Sequence, residues 1–439
     1  MLKRIKISGY KSLKDVEVVL TPLTVLIGAN ASGKSNFLDA LQLLSKTATA
    51  RTLKEAFSPP YRGKPIESFT FADSGLEGML KKKSHRFSIE IDVELSPSVI
   101  EAVNRQIMEM RGHPRRGNDH TSENGSSKSK VAIVRETALR YRLEIEILPQ
   151  SGFLRIADEY LAALNSKGEP AKNRQPFLSR KNDKLHLRME GQAHPTYHDL
   201  LLDHTILSLP HYPPHYPHLT AMRKELESWL FFYFEPRERM REANSVKEVR
   251  HIGLMGEELA AFLNTLQALD IKQFSAIEKA MNTILPNIEG IDVQANSYGE
   301  VELKLIENGI PVPARVLSEG TLRILGLLAL TGAKEQPALV GFEEPENGIN
   351  PRRIKLIAEL LKTRAYTFNT QYIVTTHSPL LADLIPQENL FICKKIDGFT
   401  QIEPFSAWGP LAKKPAIDDA LDAEELTPSE RMQRGDFDA

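Results

Sequence analysis

The stretch Leu23-Thr-Val-Leu-Ile-Gly28-Ala-Asn30-Ala-Ser-Gly33-Lys34-Ser35-Asn36 decides the fold. Thr24 to Ile27 is a short, apolar, β-branched run, the composition of a buried parallel strand. Gly28 to Ser35 matches G-x-x-x-x-G-K-[ST], and Asn36 to Ser45 has the pattern of an amphipathic helix. A strand, a glycine-rich loop and a helix in that order are what a phosphate-binding loop requires. The glycines let successive N–H groups converge on one anion, and the helix N-terminus adds partial positive charge. In this pattern Lys34 reaches the β- and γ-phosphates of a nucleoside triphosphate, and the Ser35 hydroxyl holds Mg²⁺.

The rest of the chain sets bounds on that reading. Its 439 residues suffice for two or three domains' worth of core, and 41% hydrophobic with 26% charged residues is ordinary globular composition. A formal net charge of −1 leaves room for a local basic face without demanding one. A single cysteine, Cys393, excludes an internal disulfide and a cysteine zinc site and suits a reducing compartment. No apolar run is long enough for a membrane helix, and the opening Met1-Leu-Lys-Arg-Ile-Lys-Ile-Ser alternates as a strand does, unlike a signal peptide. The expectation is a soluble cytoplasmic protein without a membrane partner.

Leu2–Ile7 and Val16–Leu20 read as a hairpin leading into the strand before the loop. Arg86–Leu95 and Ala138–Leu148 alternate with period two, predicting half-exposed antiparallel strands. Residues 111–130 between them are almost free of apolar side chains and read as a basic, solvated loop, with a DNA-backbone contact as the alternative. Pro210-His-Tyr-Pro-Pro-His-Tyr-Pro-His218 holds three histidines, but its prolines predict an extended segment that splays the rings, so metal binding is the lesser reading. Trp229–Phe234 is a strand-like aromatic run followed by a basic patch, Arg237, Arg239 and Arg241. Gly256–Asn282 has helical periodicity, and Ile288–Val293 and Val301–Ile306 form another strand pair.

Three further motifs complete a site. Leu317-Ser318-Glu319-Gly320-Thr321 opens an apolar helix with Ser318 as its N-cap. Ala338-Leu-Val-Gly-Phe-Glu343-Glu344-Pro-Glu346-Asn-Gly-Ile-Asn350-Pro is a strand that delivers two carboxylates at its C-terminal end, where ligands sit in open α/β sheets. There Glu343 holds Mg²⁺ and Glu344 polarises the attacking water. Gln371-Tyr-Ile-Val-Thr-Thr-His377-Ser-Pro is a strand ending in a histidine suited to the γ-phosphate or the water.

Four motifs in this order resemble the ABC-type ATPase heads of the RecF, structural-maintenance-of-chromosomes (SMC) and OLD group. The resemblance covers residues 1 to about 50 and about 250 to 395. It implies an α/β P-loop ABC-ATPase head with an antiparallel β lobe and a mixed α/β insertion. The corresponding segments are 1–95 with the phosphate loop, 96–250 as the insertion, 251–408 with the signature, acidic strand and switch histidine, and 409–439 as an acidic tail. The resemblance further implies ATP and Mg²⁺ as cofactors and a homodimer that sandwiches two ATP molecules. Lys34, Ser35, Gly28, Asn30, Gly33 and Asn36 of one chain would face Ser318, Glu319 and Gly320 of the other, with Asn350 in the loop crossing the interface. Lys11 and Ser12 are further candidates near the nucleotide. Two departures stand out: Glu343 occupies the usual aspartate position, which points to slow hydrolysis, and Asn350 stands where aspartate or histidine is usual. OLD-type nucleases carry a Toprim domain after the switch histidine, and residues 378–439 are too few for one. The sequence therefore predicts an ATPase without its own nuclease, controlling a separately encoded nuclease or toxin in bacterial anti-phage defence. The alternative, motivated by the arginines at 237–241 and the basic loop at 111–130, is a DNA repair or recombination ATPase acting directly on DNA.

Overall fold

The computed structural model describes residues 1–71, 75–111, 133–172, 174–190, 195–332, 336–408, 426–435 and 437. It divides into two compact units. The first comprises Met1–Leu20, Asp39–Trp229 and Asp397–Thr400; the second comprises Thr21–Leu38, Leu230–Ile396 and Gln401–Ala439.

The first unit is built on an eight-stranded antiparallel sheet. Its strands are β1 (Leu2–Tyr10), β2 (Leu13–Val19), β4 (His85–Glu94), β5 (Ala138–Leu148), β6 (Phe153–Ala163), β7 (Leu178–Lys181), β8 (Lys184–Leu187) and β9 (Thr196–Asp199), in the order β2-β1-β4-β5-β6-β7-β8-β9. Period-two alternation puts Phe87, Ile89, Ile91 and Val93 of β4 and Leu139, Tyr141, Leu143, Ile145 and Ile147 of β5 into the core. The opposite face is a ladder of charges. Asp92 accepts from Arg4 Nε at 2.7 Å and from Arg140 Nε at 2.6 Å, so the negative charge is shared across three strands. Burial raises the Asp92 carboxyl, but the bonds from Arg140 and Arg4 outweigh it and hold it below its ordinary range. The hairpin, the first long strand and the strands of 138–199 are thus one continuous sheet, cutting across the 95/96 boundary drawn from the sequence.

Short helices α2 (Leu53–Ala56) and α3 (Gly75–Leu80) and the longer α4 (Pro97–Arg111) and α5 (Pro217–Glu227) complete this unit. The histidine-proline segment is not extended throughout: it turns at residues 213–215, and Pro217 starts α5, where its missing N–H costs nothing. Its histidines serve the backbone. His218 is buried, bonds Glu190 at 2.6 Å through Nδ1, and accepts from the N–H groups of Arg135 and Glu136 through Nε2. Among the described residues no group of three or more histidine, cysteine or carboxylate side chains is placed to hold a metal ion. The basic loop read over 111–130 lies outside the described residues from 112 on, as does all of 409–425, and no described helix is long and apolar enough to cross a membrane.

The second unit holds a six-stranded sheet of β10 (Leu230–Phe232), β15 (Leu339–Glu343), β16 (Gln371–Thr376), β3 (Leu23–Ile27), β17 (Leu390–Ile396) and β18 (Phe399–Pro404), in that order. β10, β15, β16, β3 and β17 run parallel. Every residue of β3, β15 and β16 is buried, which explains why these strands read as continuous apolar runs without alternation. A smaller antiparallel sheet joins β11 (Asn244–Ser245), β13 (Glu300–Glu307), β12 (Ile288–Ala295) and β14 (Ile310–Pro313). The helical stretch expected over 256–282 is two helices, α6 (Leu259–Leu269) and α7 (Ile271–Ile284), divided at Asp270, whose side chain caps α7 through Gln273 N–H. With α8 (Glu319–Ala329), α9 (Pro351–Thr367) and the short α10 (Pro379–Asp383), they pack one apolar core. Helix α1 (Lys34–Thr47) begins in this unit and ends in the first.

Candidate nucleotide site

The parallel pairing of β15, β16 and β3 brings three motifs to one sheet edge. Glu343 pairs with Thr375, and Thr376 pairs with Ile27, so the acidic strand, the switch strand and the phosphate-loop strand all end at the same level. The loop turns off β3 at Gly28, φ +151, where a Cβ would lie 2.1 Å from the carbonyl oxygen of Cys393. Only glycine fits that approach to β17. Gly33, φ +104, closes the turn, and Phe37 N–H bonds back to its carbonyl as α1 begins.

Lys34 is 6% exposed and its ammonium donates to the carbonyls of Gly28 at 2.7 Å and Ala29 at 2.8 Å. Burial lowers its pKa, opposed by Cys393 and by the carboxylates of Glu344, Glu343 and Glu346. Ser35 donates its hydroxyl to Glu343 Oε1. A hydroxyl oxygen and a carboxylate oxygen brought together from α1 and β15 are the hard-oxygen donor set that Mg²⁺ takes, and the two are close enough to share one ion. The residues therefore fit the cofactor pair expected from the sequence.

Glu344 follows in left-handed backbone, φ +49, with its N–H bonded to Thr375 O at 2.9 Å. That turn separates its carboxylate from that of Glu343 and hands it to His377, whose Nδ1 lies 2.9 Å from Glu344 Oε1. A half-exposed histidine thus orients a carboxylate at the mouth of the site, the arrangement expected of a base and its positioning partner. Glu346, which sequence reasoning left without a role, is buried behind them and accepts from Thr376 Oγ1. Burial raises its carboxyl, and the Thr376 bond opposes that.

The signature segment lies in the same unit. Ser318 caps α8, accepting from Thr321 N–H at 3.1 Å. Gly320 packs on the turn after the acidic strand so closely that a Cβ would lie 2.6 Å from Gly348 O. The arginines that resembled a DNA patch are engaged here: Arg237 pairs with Glu319, and Arg241 donates to Leu317 O at 2.7 Å. Arg239 remains exposed. Beneath them Arg323 on α8 is buried, and its Nε finds no hydrogen-bond partner among the described residues. Asn350 caps α9, accepting from Arg352 N–H at 3.0 Å. Asn30 is exposed on the loop and Asn36 is partly buried on α1. Lys11 and Ser12 belong to the first unit, where Lys11 binds Asp39 at 2.7 Å and Ser12 shares a hydrogen bond with Thr400 at 2.7 Å.

The tail contains structure that its acidic composition concealed. Thr427 caps a helix, Pro428–Arg434, through Glu430 in a reciprocal capping box, and Gly435 ends it in left-handed backbone. Phe437 is 3% exposed in the core of the second unit, edge-on to Phe405.

A parallel sheet that presents a phosphate loop, paired acids and a histidine at one edge defines a P-loop ATPase of the ABC-head class. Comparison with known proteins agrees. Residues 1–206 match the family described as "AAA ATPase domain", and residues 212–383 match "AAA domain, putative AbiEii toxin, Type IV TA system". The DNA replication and repair protein RecF of Streptococcus equi subsp. zooepidemicus is 32% identical over 91 residues, 20% of this chain and 22% of that protein. The OLD nuclease of Thermus scotoductus is 39% identical over 44 residues, 10% of this chain and 8% of its own length. The chain thus spans about a fifth or less of these curated relatives. Among solved structures, the SMC head bound to the C-winged helix domain of ScpA shares the fold, with a TM-score of 0.50 at 13% identity over 91% of this chain and 97% of that one. The matched AAA families and these relatives support a RecF/SMC/OLD-like ABC-type ATPase, and the solved structure shows the head fold.

Proposed function

We propose that the protein binds ATP with Mg²⁺ between the loop Gly28–Ser35 and the acids Glu343 and Glu344, hydrolyses it slowly, and uses it to dimerise and control a separately encoded effector. The observation that carries the ATPase part is the convergence of two hydrogen bonds at adjacent strand ends, Ser35 to Glu343 and His377 to Glu344. In this reading the N–H groups of Gly28–Asn36 and the Lys34 ammonium hold the phosphates, with Asn30 and Asn36 at the rim. Ser35 and Glu343 hold Mg²⁺, whose charge when bound neutralises the phosphate oxygens. Glu344 takes the proton of the attacking water, and His377 fixes the carboxylate that does so. Ser318, Glu319 and Gly320 would meet the nucleotide of a second copy, with Asn350 in the interface loop. Lys11 and Ser12 carry less of this reading, since both are already hydrogen-bonded inside the first unit.

The match over 212–383 to a family described as "AAA domain, putative AbiEii toxin, Type IV TA system" supports a place in a toxin–antitoxin-like system. The second reading, a DNA repair ATPase, is favoured by the RecF similarity. Of its three arginines, Arg237 pairs with Glu319, Arg241 bonds Leu317 O and Arg239 is exposed. Native pull-down with mass spectrometry separates the two. A stoichiometric nuclease or toxin supports effector control; recovery of the ATPase alone, with ATPase activity stimulated by duplex DNA and falling steeply with salt, supports the repair reading and overturns the first.

A further inference from the structure

The cleft that touches both the phosphate loop and the switch histidine has a third wall. Gly28–Asn30 form one side, His377 and Pro379 another, and Met432, Gln433 and Phe437 of the C-terminal segment the last. The cleft they line is open to solvent, has a volume of about 190 Å³, and lies on the Gly28–Asn30 side of the loop, not at Lys34, Ser35 or Glu343. Sites that bury small organic ligands run to roughly 300–1,000 Å³.

The wall is fastened by contacts unrelated to any ligand. Ser429 N–H donates to Asp383 Oδ1 at 2.8 Å, tying the helix to α10, which starts immediately after His377. The Arg431 guanidinium lies over the Phe405 ring at 5.7 Å, and Phe437 fills the core beside the same ring. Met432 packs on that core from the other side. These contacts grip the switch helix and stand across the phosphate loop from it.

We propose that the helix Pro428–Arg434 and Phe437 are an internal occupant of the nucleotide site: docked, Met432, Gln433 and Phe437 take space beside Gly28–Asn30 and His377 that a bound nucleotide would use, so ATP binding and docking of this segment exclude one another. The inference rests on the nucleotide-binding reading of Gly28–Ser35 and adds a regulatory element to it. Apparent ATP affinity is then the intrinsic affinity reduced by the fraction of molecules with the segment undocked. Whatever pulls the segment away, an effector included, tightens ATP binding. By linkage ATP weakens docking by the same factor.

The test measures Mg-ATP affinity by titration calorimetry for the full chain, for Asp383→Ala, which removes the Ser429 anchor from an exposed position, and for a chain ending at Leu426. Circular dichroism checks that each is folded. Coupling between sites of this kind is typically about 5–150-fold; the expected result is tightening in that range for the truncated chain and a smaller tightening for Asp383→Ala. Equal or weaker binding in both folded variants overturns the proposal. In the wild type, amide hydrogen exchange at 429–435 should accelerate on adding saturating Mg-ATP; slowed or unchanged exchange there overturns it independently. If no chain binds ATP, the phosphate-loop reading falls as well. If all bind equally, only the docking proposal falls.

Discussion

Glu344→Gln isolates the chemical step from everything around it. The substitution keeps the side chain's length and shape, and its amide oxygen can still accept from His377 Nδ1, now 2.9 Å from the carboxylate. The strained φ of +49 is already imposed on a non-glycine residue, and the Glu344 N–H bond to Thr375 O is untouched. Neighbouring Glu343 keeps its bond from the Ser35 hydroxyl. Fold, Mg²⁺ binding and ATP binding should therefore survive, and the one loss is a group able to accept a proton. Positioned proton transfer contributes about 10²–10⁴ in rate, or roughly 3–5 kcal/mol of barrier at 1.36 kcal/mol per decade. His377→Ala leaves the base and removes only its orienting donor, so its effect should be smaller. Residues that act as one unit are non-additive, so the double variant should be no slower than Glu344→Gln alone. Single-turnover hydrolysis with enzyme in excess separates chemistry from product release, alongside calorimetric Mg-ATP affinity for each variant. A Glu344→Gln protein that hydrolyses ATP within about threefold of wild type would refute the assignment, since even weak general-base catalysis is worth more. Strict additivity with His377→Ala would refute the pairing.

Other expectations follow from single contacts. Lys34→Ala should weaken Mg-ATP binding about 10–100-fold, the loss of one charge-assisted partner to the phosphates; unchanged affinity by titration removes the phosphate-loop reading. Arg241→Ala strips the donor from Leu317 O and should cost about 1–2 kcal/mol in urea unfolding. Arg237→Ala should leave affinity for non-specific duplex DNA and its salt slope unchanged, because the charge is engaged by Glu319; a slope smaller by about one counts against that. Burial pushes the Glu159 carboxyl up to about 7, although Ile206 N–H, Leu207 N–H and Tyr141 Oη all donate to it. Its folded pKa lies above its unfolded one, so the folded state binds the extra proton between them, and stability falls as pH rises from about 4.5 to 7. Urea midpoints across that window should decline in the wild type and lose that decline in Glu159→Gln. A slope of the same size in the variant would place its origin elsewhere.

What could be read from the sequence and what could not divide along a physical line. The phosphate loop, the acidic strand and the switch strand are coded by contiguous residues whose backbone conformation the residues themselves dictate: glycines at positive φ, and runs of apolar side chains buried on both faces. The long strands of the first sheet were equally legible, since alternation along Arg86–Leu95 and Ala138–Leu148 is the direct imprint of one buried face. The short strands β7, β8 and β9 left no such imprint, being four residues each with no alternation of buried and exposed positions.

Long-range partners left none either. Arg237, Arg239 and Arg241 read as a basic surface because a local sequence window cannot contain Glu319 or Leu317, yet Arg237 and Arg241 find their partners there. Of the three, Arg237 meets an opposite charge, Glu319, while Arg241 meets a backbone carbonyl. The acidic tail erred in the same way: its aspartates and glutamates dominated the composition, while the residues that matter to the fold, Arg431, Met432 and Phe437, are three among many and bind Phe405 and the core of the second unit. The common cause is that composition reports how a segment meets water, and a segment that packs through a few apolar or aromatic side chains is invisible to it. A motif that builds its own backbone can be trusted from sequence alone, whereas a patch inferred from like charges can be trusted only once the opposite charges across the fold have been located. By that standard the phosphate-loop reading of Gly28–Ser35 rests on local backbone, whereas a basic face at 237–241 has to be read together with Glu319 and Leu317, the partners of Arg237 and Arg241.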